Sequence, residues 1–162
     1  MKNIEITKIS AATAYKNADA NGRKLLEDLL GLENISKGPV MDRIKTFDDV
    51  LEEHHPKDLS ALVLLNYNGT DRDMISAQAY LKLTLIARAL NEGWEPDWSN
   101  SNERKYTPWF KHQSGFGLSY DGCVGWNAHT FVGSRLCYKS SELAVYAAKQ
   151  FADIYNDYLT IK

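Results

Sequence analysis

GWEPDWSNSNERKYTPWFKHQSGFGLSYDGCVGWNAHTFVGSRLCYK, residues 93–139, decides how this chain folds. It holds all four tryptophans (Trp94, Trp98, Trp109, Trp126), both cysteines (Cys123, Cys137) and six of the ten glycines. Residues 94–105 form a polar loop with two indoles. After them, residues 106–111, 115–120, 124–126 and 134–138 alternate or cluster apolar and aromatic side chains as strands do, with turn-rich pieces at 112–114, 121–122 and 127–133. The Asp121-Gly122 pair is a hairpin signal. The expectation is a small antiparallel meander of three to four strands.

On both sides of this stretch the apolar period becomes helical. Upstream, Ile75, Ala79, Leu83, Ile86 and Leu90 recur three and four residues apart, predicting a long helix over 73–92 that stops at Gly93. Downstream, Ser140 is placed to cap a helix whose Leu143, Ala147, Phe151, Ile154 and Tyr158 form one stripe, suited to covering a sheet face. Nearer the N-terminus, a helix begins near Ser10 and is interrupted over 17–22. Leu25, Leu26, Leu29 and Leu30 then share one face of a second helix, the best N-terminal core segment, ended by Gly31 in the left-handed conformation. Residues 36–41 form a loop, and Thr46 with Asp49 matches a capping box for a helix buried through Phe47, Val50 and Leu51. Residues 59–65 read as a buried helix, and 66–70 as a turn. The whole predicts a single α+β domain over 1–162, with a helical part at 1–56 and the long helix, meander and C-terminal helix in 57–162.

Composition narrows the function classes. A chain of 162 residues can bury about 70% of its unfolded surface and needs no staple. Its longest aliphatic run, Ala61 to Leu65, is far below the roughly 20 residues of a membrane span, so no membrane partner is expected. The first residues alternate charged and apolar side chains too closely for a secretory signal, which places the protein in the cytoplasm of its host cell with reduced thiols. A net charge of −2 gives no global pull toward nucleic acid.

No stretch carries a catalytic or cofactor motif. Glu52, Glu53, His54 and His55 resemble a metal cluster, but adjacent histidines cannot chelate from one helix face, and a solvated helix end is the expectation. Ser114, Ser119 and Ser134 lie near glycines without a nucleophile elbow. Glu95, Asp97, Glu103 and Asp121 could pair for glycoside chemistry, yet carboxylates in polar loops are usually only solvated. Gly115-Phe116-Gly117 suggests a bulge or close approach rather than a phosphate cradle. No catalytic residue, metal ligand or cofactor site is assigned, and the chain leans away from being an enzyme.

What remains is aromatic surface. Trp94, Trp98 and Trp109 lie in or beside the polar loop, where at least one indole should stay partly exposed. With Arg104, Lys105 and Arg135 as cationic neighbours they form the candidate interface, of the kind that anchors a protein partner. Interleaved bases and aromatics also allow a single-stranded nucleic-acid-binding module. An accessory virion component and a small hydrolase are the further alternatives.

Three segments carry a family resemblance: Arg43-Ile44-Lys45-Thr46-Phe47, the run from Ala89 through Asn91-Glu92-Gly93-Trp94 to Trp98, and the run from Val132 through Arg135-Leu136-Cys137-Tyr138 to Ala144. Over residues 14–159 the chain resembles a family of small proteins of Bacteroidales prophages and mobile elements that has no known activity. The resemblance implies a phage or mobile-element context, a cytoplasmic life and a host or phage macromolecule as partner, a host-defence inhibitor being one form. It implies no site residues.

Overall fold

The computed structural model describes residues 8–31, 38–54, 65–113 and 117–160, and the chain divides into two compact units, 1–43 and 44–162. The described residues combine seven α-helices with a two-stranded antiparallel sheet, an α+β arrangement.

In the first unit, α1 (Lys8–Asn17) and α2 (Ala20–Leu30) are joined by Asp19, which caps α2 by accepting from the Gly22 amide at 2.7 Å. The Tyr15 hydroxyl bonds Glu27, and Arg23 lies over the Tyr15 ring. The leucine face does not behave as the period predicts. No residue of α2 is buried, and Leu25 and Leu29 are 58% and 69% exposed. A helical stripe identifies a face that could be covered, not one that is. Gly31 ends the helix with φ of 75°, but its ψ of 141° takes the chain out extended rather than left-handed. A short helix, α3 (Val40–Arg43), closes the unit and takes in the last two residues of the loop expected over 36–41.

The second unit is organised around α5 (Arg72–Asn91), which follows α4 (Phe47–Glu53). The Thr46–Asp49 capping box of α4 is formed in both directions. Its end is not solvated: His54 is buried, its ring Nε2 2.9 Å from the Leu85 carbonyl, and so ties α4 to α5. His55 and the apolar run 59–64 lie outside the described residues. Asp71 caps α5, and from Leu83 to Ala87 every residue is buried, so this stretch is enclosed on all sides, with Arg88 exposed just beyond it. It stops one residue earlier than the glycine suggests, at Glu92 in the left-handed region.

The sheet consists of β1 (Lys105–Gln113) and β2 (Gly117–Trp126). It has fewer strands than the meander expected. Asp121 and Gly122 do not turn the chain; they lie inside β2, where the register shifts opposite Trp109 and Phe110, leaving Asp121 as the extra residue of a β-bulge. Two predicted strands thereby merge into one. The fourth is a 3₁₀ turn (Ser134–Leu136) followed by one bridge, Tyr138 to Tyr106. That segment is held by a side chain instead of a ladder. Buried Asn91 donates to the Cys137 carbonyl at 2.8 Å and accepts from the Lys139 amide at 3.0 Å, while Lys139 reaches back to the Asn91 carbonyl and Glu92.

Ser140 caps α6 (Ser141–Gln150), whose Leu143, Ala144, Ala147 and Ala148 are buried; three alanines let the helix sit close to both strands. The single C-terminal helix predicted by the stripe is broken at Phe151 (φ −117°, ψ 33°), and α7 (Ala152–Leu159) continues in a new direction. The stripe rotates with it. Tyr155 rather than Ile154 or Tyr158 is fully buried, its hydroxyl 3.0 Å from that of Tyr138. Burial pushes both phenols far above their ordinary range, so the pair stays neutral.

Asn91 thus replaces a strand partner for residues 137–139. Removing its amide leaves a backbone carbonyl and an amide unsatisfied in the interior, and Asn91→Ala should cost about 2 to 4 kcal/mol. Denaturant unfolding measures it; a loss below about 1 kcal/mol would mean that the segment holds itself.

Candidate protein-binding face

Lys105 opens β1 and is wholly buried. Its ammonium donates to the carbonyls of Asp97, Asn100 (3.3 Å), Glu103 (2.9 Å) and Asn127 (3.1 Å), meets the Glu103 carboxylate at 3.2 Å, and lies 5.2 Å from the centre of the Trp98 ring. An ammonium has three protons and here serves five oxygens, so several bonds are shared. The polar loop 97–103 is wound around this cation. Asp97 and Asn100 add local turns, Asn127 donates to Ser101, and the Trp98 indole N–H donates to the Ser134 hydroxyl at 2.7 Å. Trp94 adds a hydrogen bond to the Glu103 carboxylate.

Strand pairing sorts the remaining side chains into two faces, because residues opposite one another in an antiparallel pair project to the same side. Tyr106, Pro108 and Phe110 share a face with Gly125, Cys123 and Tyr120. Helices cover it: Phe110 packs on Tyr155 with ring centres 4.8 Å apart, and Lys149 of α6 lies over Tyr120. Lys105, Thr107 and Trp109 share the other face with Trp126, Val124 and Gly122. The wound loop covers it at the Lys105 end only. Toward Trp109, which is 51% exposed, the face opens outward, and Gly122 has open space where a side chain would stand. Phe131, 81% exposed, meets Trp126 edge-on at 5.1 Å. Thr130 steadies this ring by accepting from the amides of Val132 and Gly133.

The proposed interface residues therefore do not form one patch. Trp98, Lys105 and Trp94 come together, but as the inside of the loop: Lys105, expected as a surface cation, has none of its surface in water. Both of these indoles are half-buried. Arg104 is exposed, lies 5.7 Å from the Tyr106 ring centre, and belongs to the helix-covered side. Arg135 is exposed in the 3₁₀ turn. Of the candidate interface Trp109 alone lies on the open face, with Trp126, Val124 and Phe131, which were not among its predicted residues. Phe131 carried a signal: it is the one large apolar ring in the turn-rich piece 127–133.

Among the described residues no group of three or more His, Cys, Asp or Glu could hold a metal ion. Both cysteines are free; burial pushes the Cys137 thiol up to about 11 and raises that of Cys123 as well. A groove of about 510 Å³ beside Asp71, Arg72, Asp73 and Tyr158 mixes both charges and selects neither. No helix among the described residues is long and apolar enough to cross a membrane. Comparison with family models, with curated proteins and with solved structures returns no match.

Two outcomes follow from the wound loop. Lys105→Met keeps the aliphatic stem but strands the carbonyls and Glu103, and should cost about 3 kcal/mol in denaturant unfolding; a loss below about 1 would show that water replaces the ammonium without penalty. The Glu103 carboxyl is held below its ordinary 4.5, first by the Asp97 amide and then by Lys105 and Trp94. A carboxyl lowered on folding contributes stability that is complete above its unfolded value and is lost as pH falls through the folded one. Tryptophan emission should therefore stay constant from neutrality to about pH 5 and shift only in more acid solution. A shift already complete by about pH 5 would detach the loop from this carboxylate.

Proposed function

We propose that this is a non-enzymatic binding protein that engages a protein partner through the helix-free face of its sheet. The observation that carries this reading is the exposure of Trp109 and Phe131 on a supported surface. Large rings held by a sheet and a tied loop lose little freedom on binding, and such rings dominate interface energetics. In the phage or mobile-element setting implied by the family resemblance, the partner is a host or phage protein met in the cytoplasm, and inhibition of a host defence factor is one outcome of such binding.

The test is capture from host lysate on the immobilised protein, with and without nuclease, repeated with Trp109→Ala and Phe131→Ala combined. Both rings are largely exposed, so the variant should keep its stability within about 1 kcal/mol. The expected result is a protein captured by the wild type, indifferent to nuclease, and lost with the double variant. Capture abolished by nuclease would replace the reading with single-stranded nucleic-acid binding, and capture unaffected by the substitutions would remove this face from it.

A further inference from the structure

The open face ends at a strand edge whose outward hydrogen-bonding groups meet no backbone partner among the described residues. Tyr106 exchanges both backbone bonds with Tyr138 (3.0 and 2.8 Å), so its N–H and C=O point away from β2. Gly125, directly opposite, must then direct its own groups away from β1, and Cys123, opposite Pro108, does the same two residues on. The outward edge of β1 is guarded, by Tyr138 at one position and at the next by Pro108, which has no N–H. Among the described residues the outward edge of β2 has neither device. Among the described residues no backbone hydrogen bond joins β2 to any segment other than β1. Natural sheets normally blunt such an edge with proline, lysine or a covering segment.

We infer that the edge of β2 at Cys123–Trp126 receives an extended segment of the partner protein as an added third strand. The inference rests on the protein-binding reading above and specifies its mode. An unpaired row of alternating donors and acceptors is complementary to an extended backbone and to nothing helical. The two sides of that added strand meet different chemistry. On the open face its side chains lie beside Val124 and Trp126, which calls for apolar residues at alternate positions. On the other face it passes Gly125, where a side chain would collide with the Arg104 guanidinium. Arg104 is exposed and has no carboxylate partner among the described residues. An acidic residue between the apolar ones fits there. The occupant is thus an extended segment of apolar–acidic–apolar pattern.

A second copy of this chain fits less well. Two copies paired antiparallel about Val124 would bring both Arg104 side chains to the same face.

The experiment pans a phage-displayed library of random peptides against the full-length chain and measures synthetic versions of the selected sequences. The expected result is alternating apolar residues flanking an acidic one, with N-methylation at every second peptide position weakening binding at least about tenfold and at the intervening positions leaving it unchanged. Cys123→Pro, which removes one outward N–H without touching the ladder to β1, should weaken binding similarly, whereas Cys123→Ala should not. Selection of helically spaced peptides, insensitivity to N-methylation, absence of any selected binder, or a dimer that Cys123→Pro dissociates would each overturn the inference. The two readings fail separately. Loss of the alternating N-methyl pattern removes the added strand while the Trp109 and Phe131 result stands, and indifference to those two rings removes the face while the N-methyl pattern stands.

Discussion

One buried ammonium organises the part of this molecule that is neither helix nor ladder. Lys105 stands where β1 begins, and the loop 97–103 folds so that its carbonyls converge on that nitrogen. A cation enclosed without partners would be costly to desolvate by several kcal/mol, so the site is stable only when the ring of oxygens is complete. Completion fixes three things together: the path of the polar loop, the position of Asn127 after β2, and the stacking of Trp98, which in turn reaches Ser134. The covered end of the sheet face follows from this, and so does the extent of the uncovered end.

A second polar device works at the other side of β1. Asn91 ends α5 and serves residues 137 and 139 as a strand would, while Tyr138 between them bridges to Tyr106 and shares its hydroxyl with Tyr155. Helix, sheet and C-terminal segment are therefore joined through groups with directional demands, and apolar contact from Leu83, Ile86, Leu90 and Ala147 fills the space around them. Directional bonds choose the arrangement, and the apolar area stabilises it.

Legibility of the fold followed the strength of the local signal. The long helix, the capping box at Thr46 and Asp49 and the cap at Ser140 were readable because each depends on residues three or four apart. The strand count was not. Asp121-Gly122 has turn chemistry, but a bulge uses the same conformational freedom, and only the pairing of Trp109 with Gly122 tells the two apart. Leu25 and Leu29 show that amphipathicity does not specify what lies opposite, and His54 shows that a polar residue at a helix end becomes interior when a distant carbonyl, that of Leu85, is in reach. Of the candidate site, it was legible that one of Trp94, Trp98 and Trp109 stays exposed, but not that Trp109 is the one. Lys105 was misplaced because its partners are backbone oxygens, which every residue type supplies and no sequence displays. Trp126 and Val124 needed the register before their side of the sheet could be known.

The bulge at Asp121 also makes β2 two strands of opposite phase laid end to end. Before it, Tyr120 turns toward the helices; after it, Gly122, Val124 and Trp126 turn away from them, although all four are even-numbered and a uniform strand would have kept them together. One residue therefore separates two independent patterns of inside and outside. A chain shortened by Asp121 alone would lose the bulge and keep Gly122 to Trp126 on their present side, whereas pairing Asp121 in an unbulged ladder would send the indole toward α6 and the Cys123 thiol into the open. The face is specified by a count of residues as much as by their kinds.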